Sequence, residues 1–254
     1  MLLFALMSSK LKISILGYGA FGQLMAQVLS DYFEIYAYSR SLEPGKKDKF
    51  ARFVSLEDLK ESDVIILSVP VQFLEELLAK LKEEAKIKES AVLVDVSSVK
   101  LYPMELMKKY FPNNPRLGTH PIFGPQSVKK YGLKSSKIVL CNDNLSLKNY
   151  KKIKDFLAGD LKLDILEKTA EKHDKEMALV QGITHFIGRA LAVMDIKDLD
   201  SGTFSYRHLL ELKELLKDDS WELFETIQNF NKYTVKERKK LIKILEKLNE
   251  DLQK

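Results

Sequence analysis

One cysteine, Cys141, stands in 254 residues. A single thiol excludes an intramolecular disulfide and a cysteine metal cluster, and it fits a reducing compartment such as the cytoplasm. Histidine is scarce as well. The four are His120, His173, His185 and His208, no two of them four residues apart or beside a cysteine, so a zinc site is not expected. No apolar run is long enough to cross a bilayer. The N-terminal Met1-Leu2-Leu3-Phe4-Ala5-Leu6-Met7 is too short and lacks a preceding basic segment; it reads as a loose leader, with Met7 as a second potential start. Long blocks of one charge sign are also missing. Lys+Arg 41 against Asp+Glu 36 leaves a formal +5 with the signs interspersed, without the basic face or arm that nucleic-acid binding requires. The small excess suits a phosphorylated cofactor or an acidic small substrate, and a solvated lysine-rich surface explains it equally well.

What is present is 45% hydrophobic residues, enough for a real core, over a length that suits two units. The first begins with Lys12-Ile13-Ser14-Ile15-Leu16, a β-branched run that stops at Gly17-Tyr18-Gly19-Ala20-Phe21-Gly22, after which residues 23–30 show helical spacing. In this strand–turn–helix order each glycine has a task. Gly17 makes the tight turn, Gly19 lets the main chain approach a pyrophosphate, and Gly22 lets helix and strand pack closely. The pyrophosphate would rest on the helix N-terminus, where unpaired N–H groups favour an anion. A second strand over residues 34–38 ends in Tyr38-Ser39-Arg40-Ser41, where an NAD enzyme usually carries a carboxylate for the ribose. Arg40 with the hydroxyls of Ser39 and Ser41 makes a phosphate site instead, which favours NADP over NAD. Arg40 stacked on adenine, or merely solvated, is the alternative.

Further strands are expected near residues 52–54, 63–70, 91–95, 137–141 and 162–166, with helices at 56–60, 73–85, 104–110 and 147–157. This alternation predicts a doubly wound α/β parallel sheet of the Rossmann type over residues 1–168. Ser68-Val69-Pro70 end one of its buried strands, Val96-Ser97-Ser98-Val99-Lys100 follow another, and both would line the cofactor crevice. Between the last helices and strands stands Gly118-Thr119-His120-Pro121-Ile122-Phe123-Gly124-Pro125. Its prolines disfavour helix, and the stretch reads either as a rigid loop presenting one imidazole for proton transfer or as a turn with a surface histidine.

From residue 169 to 254 the pattern turns helical, beginning with one long stretch over 170–194 that carries Gln181, Gly182, Thr184, His185 and Gly188. Such a unit is thin as a separate core and is expected to complete its burial as a homodimer through these helices, with Gly182 and Gly188 allowing close helix contact. His173-Asp174 near the start of that helix reads as a capping pair, and His185 as a satisfied core histidine unless other observations speak for it.

Gly17-Tyr18-Gly19-Ala20-Phe21-Gly22, Tyr38-Ser39-Arg40-Ser41, Val94-Asp95-Val96-Ser97-Ser98-Val99-Lys100, the His120 stretch, and His173-Asp174 followed by Gln181-Gly182-Ile183-Thr184-His185 occur in the order found in prephenate and arogenate dehydrogenases. The chain resembles this family from Leu11 to about Phe230, the plant-type arogenate dehydrogenases in particular. The resemblance implies an NADP-dependent oxidative decarboxylation late in tyrosine synthesis. It implies that His120 is the catalytic base on the ring hydroxyl, that Ser98 supports that hydroxyl and the histidine, and that His185 is a substrate-side histidine. Thr119, Gln181 and Thr184 would line the substrate. One departure stands out. Where prephenate-specific members carry an arginine, this sequence has Leu215; Arg207 lies about two turns earlier. Glu211 could instead meet the ammonium of arogenate, which points to arogenate over prephenate. Other readings remain open: a prephenate-specific enzyme, a β-hydroxyacid dehydrogenase or imine reductase, or an NADP-sensing module without turnover.

Overall fold

The computed structural model describes residues 11–253. Two compact units divide after Ala170. The first is an eight-stranded sheet of β1 (Lys12–Leu16), β2 (Glu34–Tyr38), β3 (Arg52–Phe53), β4 (Val64–Leu67), β5 (Val92–Asp95), β6 (Arg116–Pro121), β7 (Lys137–Asn142) and β8 (Asp164–Glu167). Its spatial order is β3-β2-β1-β4-β5-β6-β7-β8. Helices α1 (Ala20–Leu29), α2 (Leu74–Glu84), α3 (Leu101–Tyr110), α4 (Pro125–Tyr131) and α5 (Leu147–Gly159) connect the strands. The order reverses between β1 and β4, which creates the switch point where doubly wound sheets bind ligands at their carboxyl ends.

The strands are continuous β-branched and leucine runs because both faces are covered. Ile15, Leu16, Ile65, Leu67, Leu93 and Leu117 are at most 2% exposed. Each such side chain contributes roughly 1.5–3 kcal/mol of burial. One departure from the expected all-parallel sheet is that β7 runs antiparallel to β6, while β8 is again parallel to β7. A helix at Pro125–Tyr131, absent from the sequence expectation, follows β6. Gly124 and Pro125 are the familiar N-cap and first-turn residues for such a start, and the Ser127 hydroxyl accepts the Gly124 N–H at 2.9 Å.

The second unit contains α6 (Ala170–Met177), α7 (Thr184–Val193), α8 (Phe204–Leu216), α9 (Trp221–Glu225) and α10 (Thr234–Asp251). The single long helix expected over 170–194 is continuous but not uniform: residues Ala178–Ile183 form a π turn between α6 and α7. A second π turn, Thr226–Phe230, follows α9. Glycine makes the packing possible. A Cβ on Gly182 would come 2.7 Å from Thr234 Cγ2, and one on Gly188 2.4 Å from Leu216 Cδ1. Among the described residues of this unit the buried apolar side chains are Met177, Ala178 and Ile227, whereas His173, Asp174, Thr226, Gln228, Asn231 and Thr234 are buried polar groups. His173 and Asp174, expected as a capping pair, are thus part of the buried interior of this unit. Both are fully buried, His173 Nδ1 lies 2.8 Å from Asp174 Oδ1, and Asn231 Nδ2 donates to the Asp174 carbonyl at 2.7 Å.

Candidate functional site

The glycine turn after β1 has the geometry that its three glycines predict. Gly17 has φ +100°, and a Cβ there would sit 2.3 Å from the Ser68 carbonyl oxygen, so β1 and β4 approach as closely as main chain allows. A Cβ on Gly22 would lie 2.1 Å from the Gly17 carbonyl oxygen. Gly19, by contrast, has nothing within 4 Å of that position. It is the N-cap of α1 and no side chain caps the helix. The result is an open cradle at a helix N-terminus, the place where a pyrophosphate oxygen can meet main-chain N–H groups. The residues present fit a dinucleotide.

The side chains around the cradle divide in their tasks. Tyr18 is turned into the core: its hydroxyl donates to Asp48 Oδ2 at 2.7 Å and its ring packs edge-on against Phe53 at 5.6 Å. Burial, then the Asp48 carboxylate, push the phenol pKa up. Tyr18 can thus serve a cofactor only through its main chain. Ala20 is exposed, and the Phe21 ring lies 6.4 Å from that of Phe123, which follows the His120 strand. Ser68 and Val69 are half-buried at the end of β4, with Pro70 exposed. At the end of β2, Arg40 is exposed and its guanidinium lies 5.6 Å over the Phe73 ring; among the described residues no ion pair engages it. Ser39 and Ser41 place their hydroxyls 3.4 Å apart beside it. A planar cation on an aromatic ring with two neighbouring hydroxyls can take a phosphate or flank an adenine.

His120 is not on a loop. It belongs to β6, pairs with Val139 of the antiparallel β7, and is 3% exposed. The prolines misled here: Pro121 can end a strand whose next ladder donor, Ile122, bonds to Lys137. Because β6 is parallel to β5, and β5 to β4, the imidazole stands at the same sheet edge as the glycine turn. Three strand spacings separate β6 from β1, roughly 14 Å, and the Phe21–Phe123 contact links the two elements. Arg116 pins the start of β6, with Nε on Asp143 Oδ2 at 2.8 Å and Nη1 on the Phe111, Pro112 and Asn114 carbonyls.

Sequence reasoning missed what lies beneath His120. Lys100 is fully buried, its ammonium on the Asp95 carboxylate and, at 2.5 Å, on the Thr119 carbonyl oxygen. Asp95 Oδ1 accepts the Ser97 N–H at 3.0 Å, the Ser97 hydroxyl donates to the Val99 carbonyl at 2.8 Å, and the Thr119 hydroxyl donates to the Asp95 carbonyl at 2.8 Å. Ser97 and Thr119 are thus held inside this network, while Ser98 stands half-buried at the turn. A lysine two residues past a serine pair, close behind a strand end, was the available signal; only its burial reveals its task.

In the helical unit His185 Nδ1 lies 3.3 Å from Asp219 Oδ2. One turn on, Arg189 Nη2 donates to the Asp219 carbonyl at 3.1 Å and its guanidinium packs over Trp221 and Phe224 at 5.7 and 5.3 Å. Burial holds the His185 pKa below its ordinary value more than Asp219 raises it, and Arg189 pushes the same way as burial. The imidazole is neutral at pH 7 and can accept or donate a hydrogen bond. Gln181 and Thr184 are half-buried on the preceding turn. Glu211 is exposed and paired with His208 at 3.0 Å, and Arg207 is exposed on the same helix. Among the described residues no group of His, Cys, Asp and Glu could hold a metal, and no helix is long and apolar enough to cross a membrane.

Residues 36–160 match the family model "Prephenate dehydrogenase, nucleotide-binding domain", and residues 190–254 match "TYRAAT1-like, C-terminal domain". Two curated relatives are chloroplastic arogenate dehydrogenases of Arabidopsis thaliana. One is 29% identical over 95% of this chain and 39% of its own length, the other 30% identical over 96% of this chain and 71% of its own length. The chain therefore spans well under half of the first relative. Among solved structures, prephenate dehydrogenase from A. aeolicus in complex with hydroxyphenyl propionate and NAD+ superposes with a TM-score of 0.71 at 21% identity, covering 94% of this chain and 90% of that one.

Proposed function

Because the chain belongs to the prephenate and arogenate dehydrogenase family, we propose that it oxidises arogenate, in preference to prephenate, with transfer of hydride to NADP and loss of carbon dioxide. The observation that carries this reading is His120, a buried imidazole at the carboxyl end of β6, on the sheet edge that bears the dinucleotide cradle of Gly17, Gly19 and Gly22. The nicotinamide, when bound, supplies the hydride acceptor. His120 takes the proton of the ring hydroxyl as the carbon beneath it loses hydride, help worth about 10²- to 10⁴-fold. Ser98 supports the hydroxyl. Carbon dioxide leaves as the ring becomes aromatic, so the step is strongly downhill. The resemblance carries Thr119 in the first unit, and Gln181, Thr184 and His185 in the helical unit, as substrate-side residues.

Arg40, with Ser39 and Ser41, favours the 2′-phosphate of NADP, and no carboxylate stands at the end of β2 to repel it. Glu211 favours the ammonium of arogenate. Two copies pair through the helical unit, where Val193, Met194, Phe204 and Leu215 each leave more than two thirds of their surface exposed. A single buried thiol suits the reducing cytoplasm. The deciding experiment is spectrophotometric: the purified protein is assayed with arogenate and prephenate, each with NADP and NAD. The highest kcat/KM is expected for arogenate with NADP. Preference for prephenate would overturn the role of Glu211, preference for NAD that of Arg40, and no turnover of either acid the reading as a whole.

A further inference from the structure

A fully buried lysine is rare unless something compels it, and here the partners of Lys100 name the cause. Its ammonium joins three segments at once. Through the Asp95 carboxylate it reaches the end of β5 and, by Oδ1 of the same carboxylate, the N–H of Ser97; through the Thr119 carbonyl it reaches the residue before His120. Room for the stem is provided for: a Cβ on Gly118 would come 3.2 Å from Lys100 Cδ and 2.7 Å from Met104 Sδ. We propose that Lys100 is a positioning residue, whose charge fixes the Thr119–His120 peptide against the Ser97–Ser98 turn and so sets the spacing of imidazole and serine hydroxyl; this rests on the roles proposed for His120 and Ser98.

A buried pair contributes little net stability when both members can be replaced by uncharged groups, yet losing one partner leaves a costly lone charge. That asymmetry separates position from stability. Lys100→Met alone is expected to lower the melting temperature, and Asp95→Asn/Lys100→Met, which keeps an acceptor for the Ser97 N–H, to restore most of it. Neither is expected to restore turnover: kcat should stay about 10²-fold down, the scale set by misplacing a reacting group by about 1 Å. KM for NADP should remain within about twofold. Hydrogen exchange should quicken at residues 117–120 and not in α1. Recovery of kcat together with melting temperature in the double variant would overturn the proposal, since the lysine would then only neutralise Asp95. So would a rise in KM for NADP with loss of protection in α1. If the parent protein turned over neither cyclohexadienyl acid, the functional reading would fall, and the exchange pattern of the double variant would still decide for or against the lysine.

Discussion

Replacing Gly19 by alanine separates the fold from the cradle. At this position φ is −73°, ordinary for any L residue, and the added Cβ meets nothing within 4 Å. Alanine is the poorer N-cap by about 0.5–1 kcal/mol, and it recovers about 0.4–1 kcal/mol by restricting the unfolded chain. Net stability should therefore move by less than about 0.5 kcal/mol, a melting shift of about two degrees at most for a unit of this size. Binding should not be spared. The methyl takes the space that a pyrophosphate oxygen needs to reach the main-chain N–H groups, and one lost charge-assisted bond costs about 2 kcal/mol, roughly 30-fold in Kd. Gly17→Ala is the control, because φ +100° and a 2.3 Å approach to the Ser68 oxygen demand strain and backbone movement together. It should cost at least about 2 kcal/mol. Calorimetric titration with NADPH and thermal melts of both variants make the comparison. Should Gly19→Ala bind NADPH like the parent, or melt as early as Gly17→Ala, the cradle is misassigned.

His120→Asn should bind NADPH with unchanged affinity while kcat falls by about 10²- to 10⁴-fold; a variant that turned over like the parent would reduce the histidine to packing. His185 gives a pH test. Its folded pKa lies below the 6.5 of the unfolded chain, so the unfolded state takes up the proton first and stability is lost as pH falls through that value. His185→Asn removes this loss, and urea denaturation between about pH 7.5 and 5 should show a flatter decline than in the parent. Parallel slopes would refute the assignment.

The glycine turn, the strands and the long helices were legible because each rests on a local rule: β-branched runs, a periodicity, a residue with no Cβ. What could not be read depends on neighbours distant in the chain. The prolines around His120 signalled a loop, but the pairing with β7, twenty residues later, makes the segment a strand. The reversal of β7 leaves no local trace either, since an antiparallel strand buried on both faces has the same composition as a parallel one. His173-Asp174 read as a cap because the sequence gives position along a helix and not the face on which Asn231 waits. Lys100 read only as the last residue of a crevice-lining run, because the partners that bury it, Asp95 and Thr119, lie elsewhere in the chain. Tyr18 sits within the dinucleotide motif, yet its hydroxyl is claimed by Asp48, thirty positions on.

The two π turns alter how positions in the helical unit can be counted. Each accommodates a residue that an α-helix of equal rise would lack. An insertion or deletion between Ala178 and Ile183 would therefore leave the helix intact but rotate everything after it by about 100°. His185 and Arg189 share a face because they are four residues apart on α7, and the π turn sets how that face is turned relative to α6. A relative without the surplus residue would carry the same letters about a quarter turn round the rod, and comparison by simple counting across this point would equate residues that never occupy the same place.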